Sequence, residues 1–492
     1  MKVNLMYRDK HFDVNSDQYY DSDAIAFDVE LKKIVDVMSR GDKEIAKACT
    51  AAMFTPLQTV EDIKYRQDNV NDALKHADLV RKLYDIVLQV QDKPENSMHW
   101  LSSSSNIANI FSHGVNLLKV YIETIAAMLK YAEDNKKTFT SDGFSGFVKM
   151  FLSEIDGKFV DEAKSHLKDL RDQDDMLIRA KLGPFNRCTG YVLVKKEKRG
   201  LFSRSKIVDT LTIKDDDIAG GSDLAARQEI ALNETVTVLA QVAKHLYSFF
   251  TALRYELAFY IGAINLAEKL KEYGAPICIP EMLPITKWDR SWRGLYDVSL
   301  VITKSAAVTG NELDTKDKYL YIITGANQGG KSTFLRSFGQ AQLMAQSGLF
   351  VGAEQYKAPI RNSMYTHFKR EEDAFIRSGK LEEEMARMST IADHITPGSL
   401  MIFNESFAAT NEREGSEIHR QIVQALIENG VEVFAVSHQY TFAAAFLEDK
   451  KTQFLRAGRL EDGARTFKIT PGVPLETAYG EDIYQELFVN RK

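Results

Sequence analysis

Cysteine is scarce in this chain of 492 residues, and the pattern of the few present excludes two kinds of scaffold. Cys49, Cys188 and Cys278 are odd in number, lie far apart and show no C-x-x-C spacing. A disulfide framework needs an even set of cysteines, and a zinc site needs clustered ligands. The sequence therefore predicts neither, and a reducing, cytoplasmic environment is the simplest location.

Long apolar runs and an excess of positive charge are also missing. Met1 is not followed by an apolar signal core, and the most apolar stretch, residues 249–267, is interrupted by Arg254 and Glu256. No membrane association is predicted. The formal net charge is -6, from 63 Lys and Arg against 69 Asp and Glu. Because this balance is acidic, any contact with nucleic acid requires a local basic surface.

Only ten prolines occur in the chain, and this predicts long helices because proline breaks helix interiors. Apolar residues recur at three- and four-residue spacing in residues 23–54, 60–91, 107–134 and 147–180. These segments predict a helical domain over residues 1–183.

The periodicity changes at Cys188. Residues 190–194 and 207–213 are rich in β-branched residues and predict the two strands of a hairpin within residues 184–222. The connection between the strands contains one acid, Glu197, and six cations, which are Lys195, Lys196, Lys198, Arg199, Arg204 and Lys206. Two interpretations stay open: a sequence-independent contact with DNA phosphates, or a charged loop that is only solvated.

A long helical region and an α/β domain follow the hairpin. From Ser222 to Tyr273 the chain contains no proline and one glycine, so residues 223–275 predict one very long helix or a pair of helices. The aromatic residues of this region are interpreted as core packing rather than as a cofactor site. Residues 276–492 then predict a connector and an α/β domain in which strands alternate with helices.

The most informative motif begins at Gly325. Residues 325–332 read Gly-Ala-Asn-Gln-Gly-Gly-Lys-Ser and fit G-x-x-x-x-G-K-[ST] at each fixed position. A β-rich run precedes the motif and a pattern of helical spacing follows it, which is the order that a phosphate-binding loop requires. The alternative is a chance glycine turn before a helix. We predict a nucleoside triphosphate site, with ATP and Mg²⁺ as cofactors.

The residue types of this loop define its predicted chemistry. Backbone N–H groups would bind phosphate oxygens, Lys331 would reach the β- and γ-phosphates, and Ser332 would ligate Mg²⁺. The predicted nucleotide-binding residues are Gly325, Asn327, Gly329, Gly330, Lys331, Ser332 and Thr333.

A second apolar strand, residues 399–403, ends in Asn404 and Glu405. An Asp-Glu pair is usual at this point, with one acid near Mg²⁺ and one that activates water. Glu405 is the predicted general base. Asn404 is the predicted second metal group; it can accept a hydrogen bond from a metal-bound water but has no negative charge. Either this change lowers Mg²⁺ affinity or turnover, or Asn404 is a tolerated neutral variant.

Two further groups are candidates on their positions. His438 follows the strand at residues 431–437 and is interpreted as a sensor of the γ-phosphate or a group that polarises water, the alternative being a histidine with no functional role. Ser378 and Gly379 open a charged helix, and their residue types alone indicate only a helix start that favours anions.

Together these motifs resemble the ATPase of the MutS family of mismatch-repair proteins. The resemblance lies in the order of the glycine loop within residues 324–333, Glu384-Met385, Asn404-Glu405, Thr410, Gly415 and Val436-Ser-His438. Upstream, residues 54–70 are similar to the start of the family's helical core, with a proline turn before an Arg-Gln-Asp helix. Downstream, residues 476–480 resemble its late Ser-Tyr-Gly segment.

The resemblance implies an α/β P-loop (ABC-type) ATPase domain at the C-terminus and an N-terminal all-α core and lever domain with a small β-hairpin insertion. It also implies a homodimer in which each nucleotide lies between one protomer's glycine loop and the helix that begins at Ser378 and Gly379 of the other. The family's serine stands one place later, and its Gly-Arg-Gly run after the acidic pair is Phe407-Ala-Ala409 here.

The family's mismatch-reading domain has no counterpart before the helical core, so we do not expect mismatch recognition by the family's mechanism. The hairpin over residues 184–222 is interpreted as a reduced DNA clamp. The function implied is ATP-driven dimer closure acting on DNA structure in mismatch repair or recombination. The alternative is a nucleotide-gated protein scaffold with weak hydrolysis and no DNA binding.

Overall fold

The computed structural model describes residues 2–16, 19–91, 107–171, 178–186, 188–193, 218–370, 379–460 and 464–476. The chain divides into two compact units. The first comprises residues 1–3, 81–140 and 145–254, and the second comprises residues 4–80, 141–144 and 255–492. The domain limits proposed at residues 183, 222 and 275 remain predictions.

Helices dominate the first half of the described chain, and strands are concentrated in the second. In chain order the helices are α1 (Ser22–Asp28), α2 (Leu31–Ser39), α3 (Lys43–Phe54), α4 (Val60–Lys75), α5 (Ala77–Gln91), α6 (Ile107–Asp134), α7 (Asp142–Glu154), α8 (Gly157–Arg171), α9 (Ile218–Glu272), α10 (Val298–Lys304), α11 (Lys331–Gln346), α12 (Lys380–Ala392), α13 (Glu412–Glu428) and α14 (Tyr440–Ala444). The strands are β1 (Ile178–Leu182), β2 (Cys188–Leu193), β3 (Glu281–Leu283), β4 (Arg290–Leu295), β5 (Asn311–Thr315), β6 (Leu320–Gly325), β7 (Gln355–Pro359), β8 (Met364–Phe368), β9 (Leu400–Asn404), β10 (Glu432–Val436), β11 (Thr452–Arg459) and β12 (Arg465–Pro471).

Most of the predicted helical segments are confirmed. Residues 107–134 form the single helix α6, and the region after the hairpin forms one helix, α9, rather than two. In the first unit, Tyr121 of α6 stacks on Phe250 of α9 with ring centroids 5.5 Å apart. Both side chains are fully buried, which confirms that Phe250, one of the aromatic residues of the long helical region, packs in the core.

The helical prediction for residues 147–180 is wrong at its end, because β1 begins at Ile178. This strand pairs antiparallel with β2, with Ile178 opposite Leu193. A strand partner later in the chain decides the conformation here, and helical spacing alone cannot reveal it. The strand predicted at residues 190–194 is present within β2, whereas the partner predicted at residues 207–213 lies outside the described residues.

The second unit contains a six-stranded sheet of order β12-β11-β6-β10-β9-β8. All neighbours are parallel except β12, which runs antiparallel to β11. Strands β6, β9 and β10 are almost wholly buried runs of apolar residues, as expected for a parallel sheet covered on both faces. Val436 lies opposite both Ile323 and Asn404, so the carboxyl ends of β6, β9 and β10 meet at one edge.

A smaller sheet of order β3-β7-β4-β5 is joined to the larger one by a buried ion cluster. Glu432, the first residue of β10, binds Arg290 and Arg361 through Nε–O distances of 2.6 Å each. All three side chains are 0–1% exposed. The buried carboxylate is therefore compensated by two guanidinium groups.

None of the described helices is both long and apolar enough to cross a lipid bilayer.

Candidate nucleotide site

The glycine loop connects β6 to α11 at the carboxyl edge of the large sheet. Gly325 and Gly330 have φ of 104° and 91°, a region that glycine enters without strain. At Gly329 a Cβ would lie 2.8 Å from the Ala326 carbonyl oxygen, so a side chain would collide with the loop. These glycines let the chain turn tightly into the N-terminus of α11, where unpaired N–H groups favour an anion.

Lys331, the first residue of α11, lies inside the loop rather than in solvent. Its Nζ donates hydrogen bonds to the carbonyl oxygens of Gly325 and Ala326, at 2.9 and 3.1 Å. Burial lowers the pKa of this ammonium, Glu405 counteracts the shift, and Arg465 adds to it. The loop therefore holds a partly desolvated cation, which binds phosphate more strongly than a solvated one.

Ser332 and Asn404 are brought together from different elements. The Ser332 hydroxyl donates to Asn404 Oδ1 at 3.0 Å, across the ends of β6 and β9. No cluster of three His, Cys, Asp or Glu side chains able to hold a metal ion occurs in the described part of the chain. Mg²⁺ suits this donor set, because it is usually held by one or two protein oxygens together with phosphates and water. Ser332 and Asn404 would hold it.

Glu405 follows β9 directly and lines the same cavity as Lys331 and Ser332. Its backbone N–H donates to the Val436 carbonyl oxygen at 2.9 Å, and its φ is 54°. A non-glycine residue rarely adopts this left-handed conformation, and such residues concentrate at functional sites. The cavity has a volume of about 650 Å³, which is enough for a nucleotide-sized ligand.

Several cavity residues carry no motif and were missed by sequence reasoning. Phe467 of β12 lines the cavity, as do seven residues from a segment before β6, which are Asp297, Leu300, Lys304, Ala307, Val308, Thr309 and Asn311. Arg465, also in β12, donates from Nε to the Asn327 carbonyl oxygen at 3.2 Å. These residues come from segments of ordinary composition, so only the fold brings them to the loop.

The remaining predicted residues either lie away from the cavity lining or fall outside the described part of the chain. His438 lies beyond the end of β10 at the edge that carries the glycine loop, but it is exposed and does not line the cavity. Gly379 caps the N-terminus of α12 with φ of -66° and ψ of 147°, and has open space at its Cβ position. Ser378 and all six cations predicted to contact DNA lie outside the described residues.

Comparison with protein families matches two parts of the chain. Residues 58–273 match the model of the MutS2 N-terminal domain, and residues 321–466 match MutS domain V. The second match contains the glycine loop, the Asn404-Glu405 pair and His438, whereas the first covers the helical region from α4 to the end of α9.

Individual relatives show the same pattern. Endonuclease MutS2 of Ligilactobacillus salivarius is 26% identical over 347 residues, covering 65% of this chain and 42% of the relative. DNA mismatch repair protein MutS of Thermus thermophilus is 28% identical over 185 residues, covering 37% and 22%. DNA mismatch repair protein MutS 2 of Haloarcula marismortui is 30% identical over 179 residues, covering 35% and 19%. In each case the match spans less than half of the relative's length.

Proposed function

Because this chain belongs to the MutS family, we propose that it binds ATP with Mg²⁺, hydrolyses it, and couples hydrolysis to the binding of DNA structures. One observation carries the ATPase part of the proposal: Lys331, Ser332 and Glu405 line a single cavity. Asn404 contacts that cavity through the Ser332 hydroxyl. Lys331 would contact the phosphates, Ser332 and Asn404 would hold the metal, and Glu405 would activate the attacking water.

Each residue has a distinct role in this proposal. Lys331 and the loop N–H groups neutralise charge on the transferring phosphoryl group. Glu405, which lines the cavity together with Lys331 and Ser332, accepts a proton from the attacking water. Mg²⁺, when bound, would neutralise charge on the β- and γ-phosphate oxygens. His438, at the same sheet edge, would sense the γ-phosphate in the closed state.

The base assignment is tested with Glu405→Gln, which removes the proton acceptor and keeps the shape of the side chain. We expect turnover to fall at least about 100-fold with ATP affinity retained, since general-base catalysis is typically worth this much. Glu417→Gln is the matched control, because Glu417 is exposed and pairs only with polar neighbours on α13. Turnover of Glu405→Gln at the wild-type rate would refute the assignment.

We further propose that the complete site forms between two copies, with the start of α12 at Gly379 closing on the partner's nucleotide. In support, no side chain of the described residues caps this end, and none of them lies within 4 Å of a Cβ built at Gly379. Four N–H groups at a helix start have no partner within the helix, and they favour the negative charge of a phosphate.

Mixing two inactive variants tests this dimer directly. Lys331→Ala removes the cation of the loop, and Gly379→Asp places a carboxylate where the partner's phosphate would bind. Aspartate is a favourable N-cap, so the second variant is expected to fold. A mixed dimer contains one intact composite site, so random mixing should restore about one quarter of wild-type turnover, as pairing statistics for two equal protomers require. If subunit exchange is verified and the mixture still shows no turnover, the composite site is contradicted.

The DNA part of the proposal rests on family membership and on the six cations within residues 195–206. Replacing all six by Ser should weaken binding to branched, mispaired and plain duplex DNA alike, and should flatten its dependence on salt, because fewer phosphates are neutralised. Replacing the exposed Lys32 and Lys33 of α2 gives a control for overall charge. Unchanged affinity and salt slope in the six-site variant would remove this segment from the DNA site.

A second candidate function is a nucleotide-gated scaffold with weak hydrolysis and no DNA binding. Asn404 favours it, because a neutral amide replaces the usual carboxylate beside the metal. The ATPase rate with and without each DNA discriminates the two. Stimulation by DNA supports the coupled ATPase, whereas a low rate that no DNA changes supports the scaffold.

A further inference from the structure

The segment Ser406-Phe407, directly after the proposed base, is held by side chains from several elements of the second unit. Ser406 is 1% exposed and Phe407 is fully buried. The Phe407 ring stacks on His367 of β8, with centroids 5.2 Å apart and planes at 16°. Its carbonyl oxygen accepts a hydrogen bond from Gln439 Nε2 at 3.3 Å, next to His438. This segment thus contacts both β8 and the residues that follow β10.

His367 connects this segment to α12 through both ring nitrogens. Nδ1 lies 2.8 Å from Ser406 Oγ, and Nε2 lies 3.0 Å from the carbonyl oxygen of Glu384 in α12. Burial lowers the pKa of His367 to about 4, so the ring is neutral near pH 7. A carbonyl oxygen can only accept, so Nε2 carries the proton. The single proton of the Ser406 hydroxyl is then shared between Nδ1 and the His367 carbonyl oxygen, which lies 2.6 Å from Oγ. One neutral imidazole therefore joins α12 to the residue after Glu405.

A second contact links the same two elements. The Glu384 carboxylate accepts a hydrogen bond from the Phe407 backbone N–H, which partly offsets the rise in its pKa caused by burial. The α12 backbone is thus connected to Ser406 through His367, whereas the Glu384 side chain contacts Phe407 directly. Movement of α12 along its axis would disturb both contacts at once.

The backbone of the linked segment is strained. Glu405 and Phe407 have φ of 54° and 57°, on either side of Ser406. The left-handed conformation is sterically unfavourable for a non-glycine residue and persists only where the surroundings impose it. The ring stacking of Phe407 and the hydrogen bonds to Ser406 and Phe407 supply that constraint. Loosening them would release Glu405 from its present position.

We propose that His367 is a positioning residue that couples α12 to Glu405, so that a phosphate bound at the start of α12 sets the position of the base in the same protomer. This inference rests on the proposed function, because the phosphate at α12 comes from the partner's nucleotide. Each site of the dimer would then report its occupancy to the base of the other.

The test uses three substitutions that separate the two hydrogen bonds. His367→Phe keeps volume and stacking but removes both bonds. His367→Asn places an amide near the Nδ1 position and retains the Ser406 contact, whereas His367→Gln reaches the Nε2 position and retains the Glu384 contact. For His367→Phe we expect kcat to fall about 10- to 100-fold with KM for ATP within about twofold, the effect of losing buried hydrogen bonds that position a reacting group.

His367→Asn and His367→Gln, which each keep one of the two hydrogen bonds, decide whether the connection to α12 matters for turnover. Both should lie between His367→Phe and wild type in kcat. Ser406→Ala combined with His367→Phe should lower kcat by less than the product of the two single effects, because both changes remove the contact between Ser406 Oγ and Nδ1. Wild-type kcat in His367→Phe, or full kcat in His367→Asn, would overturn the proposal. A rise in KM at constant kcat would also overturn it, since the role would then lie in nucleotide binding.

His419→Phe is the matched control. His419 lies in the same cluster and stacks on Phe442, but neither of its ring nitrogens has a hydrogen-bond partner among the described residues. We expect its kcat to equal that of wild type. If wild-type protein itself shows no turnover that Lys331→Ala removes, the proposed function fails. If wild type turns over and His367→Phe does so equally, only the coupling fails.

Discussion

The two halves of the nucleotide site are built by different means. The phosphate half, from Gly325 to Ser332, depends on glycine conformations and on a helix start. The hydrolytic half, from Asn404 to Phe407, places two non-glycine residues in the left-handed region and holds them by packing and side-chain hydrogen bonds. The first half follows from local sequence, whereas the second depends on residues distant in the chain.

This difference has an energetic consequence. Glycine adopts positive φ without a steric penalty, so of the positive-φ residues in the loop only Gln328, with φ of 60°, carries that cost. Phe407 adopts it only because its ring is fully buried among Phe403, His367 and His419. Changes in the phosphate half should therefore affect nucleotide binding alone. Changes that disturb the packing of Phe407 or the hydrogen bonds of Ser406 should affect stability and turnover together.

Lys331→Ala should give the largest effect and should break the phosphate half alone. Losing a charge-assisted contact to phosphate should weaken ATP binding about 100-fold, or about 2.7 kcal/mol. Stability without nucleotide should not fall, because a partly desolvated ammonium is removed. Calorimetric titration and thermal melts with and without ATP measure both quantities. An ATP-induced rise in Tm equal to that of wild type would contradict the role of Lys331.

Gly415→Ala should break the hydrolytic half from outside the cavity. A Cβ at this position of α13 would lie 2.2 Å from the Phe407 carbonyl oxygen, so the two backbones must separate. We expect the free energy of unfolding to fall by about 2 kcal/mol, the usual cost of overpacking. Turnover should fall with it, while ATP affinity is kept.

Gly146→Ala in α7 is the control for this change. Apart from the adjacent backbone of α7 itself, no atom of the described residues lies within 4 Å of a Cβ built there, so alanine should stabilise the helix by about 0.5–1 kcal/mol. If denaturant titration shows that the free energy of unfolding changes in the same direction in both variants, close approach at Gly415 does not explain the loss of stability.

Asn404→Asp should make the hydrolytic half resemble the usual acidic pair. A carboxylate beside Ser332 Oγ, now 3.0 Å from Asn404 Oδ1, would add a charge opposite Mg²⁺. We expect about tenfold tighter Mg²⁺ binding, or about 1.4 kcal/mol, measured as the Mg²⁺ concentration that gives half-maximal ATPase rate. Asn411→Asp, at the exposed N-cap of α13, is the isosteric control. An unchanged Mg²⁺ requirement would favour a tolerated neutral variant.

The same comparison explains what sequence reasoning could find. The strand, loop and helix around Gly325 to Ser332 were predictable because the pattern is contiguous and each position has a local reason. The meeting of Ser332 with Asn404 followed from both strands ending at one sheet edge. His367 could not be found, because nothing near it in sequence reveals that β8 brings its ring against Ser406. The strand β1 was missed for the same reason.

His419→Phe should give the smallest change in the free energy of unfolding, and it separates the roles of the two histidines packed beside Phe407. Two ring nitrogens are buried without a hydrogen-bond partner among the described residues, and burial lowers the pKa of His419 to about 3. An apolar ring of similar size removes that desolvation cost and keeps the stack on Phe442. We expect the free energy of unfolding to rise by about 1 kcal/mol at pH 7, by denaturant titration. His367→Phe, which removes the ring hydrogen bonds to Ser406 Oγ and to the Glu384 carbonyl oxygen, should instead lower it. Because the two rings lie in one cluster, opposite signs would separate a histidine retained for its hydrogen bonds from one that only fills space. Equal signs would contradict that distinction.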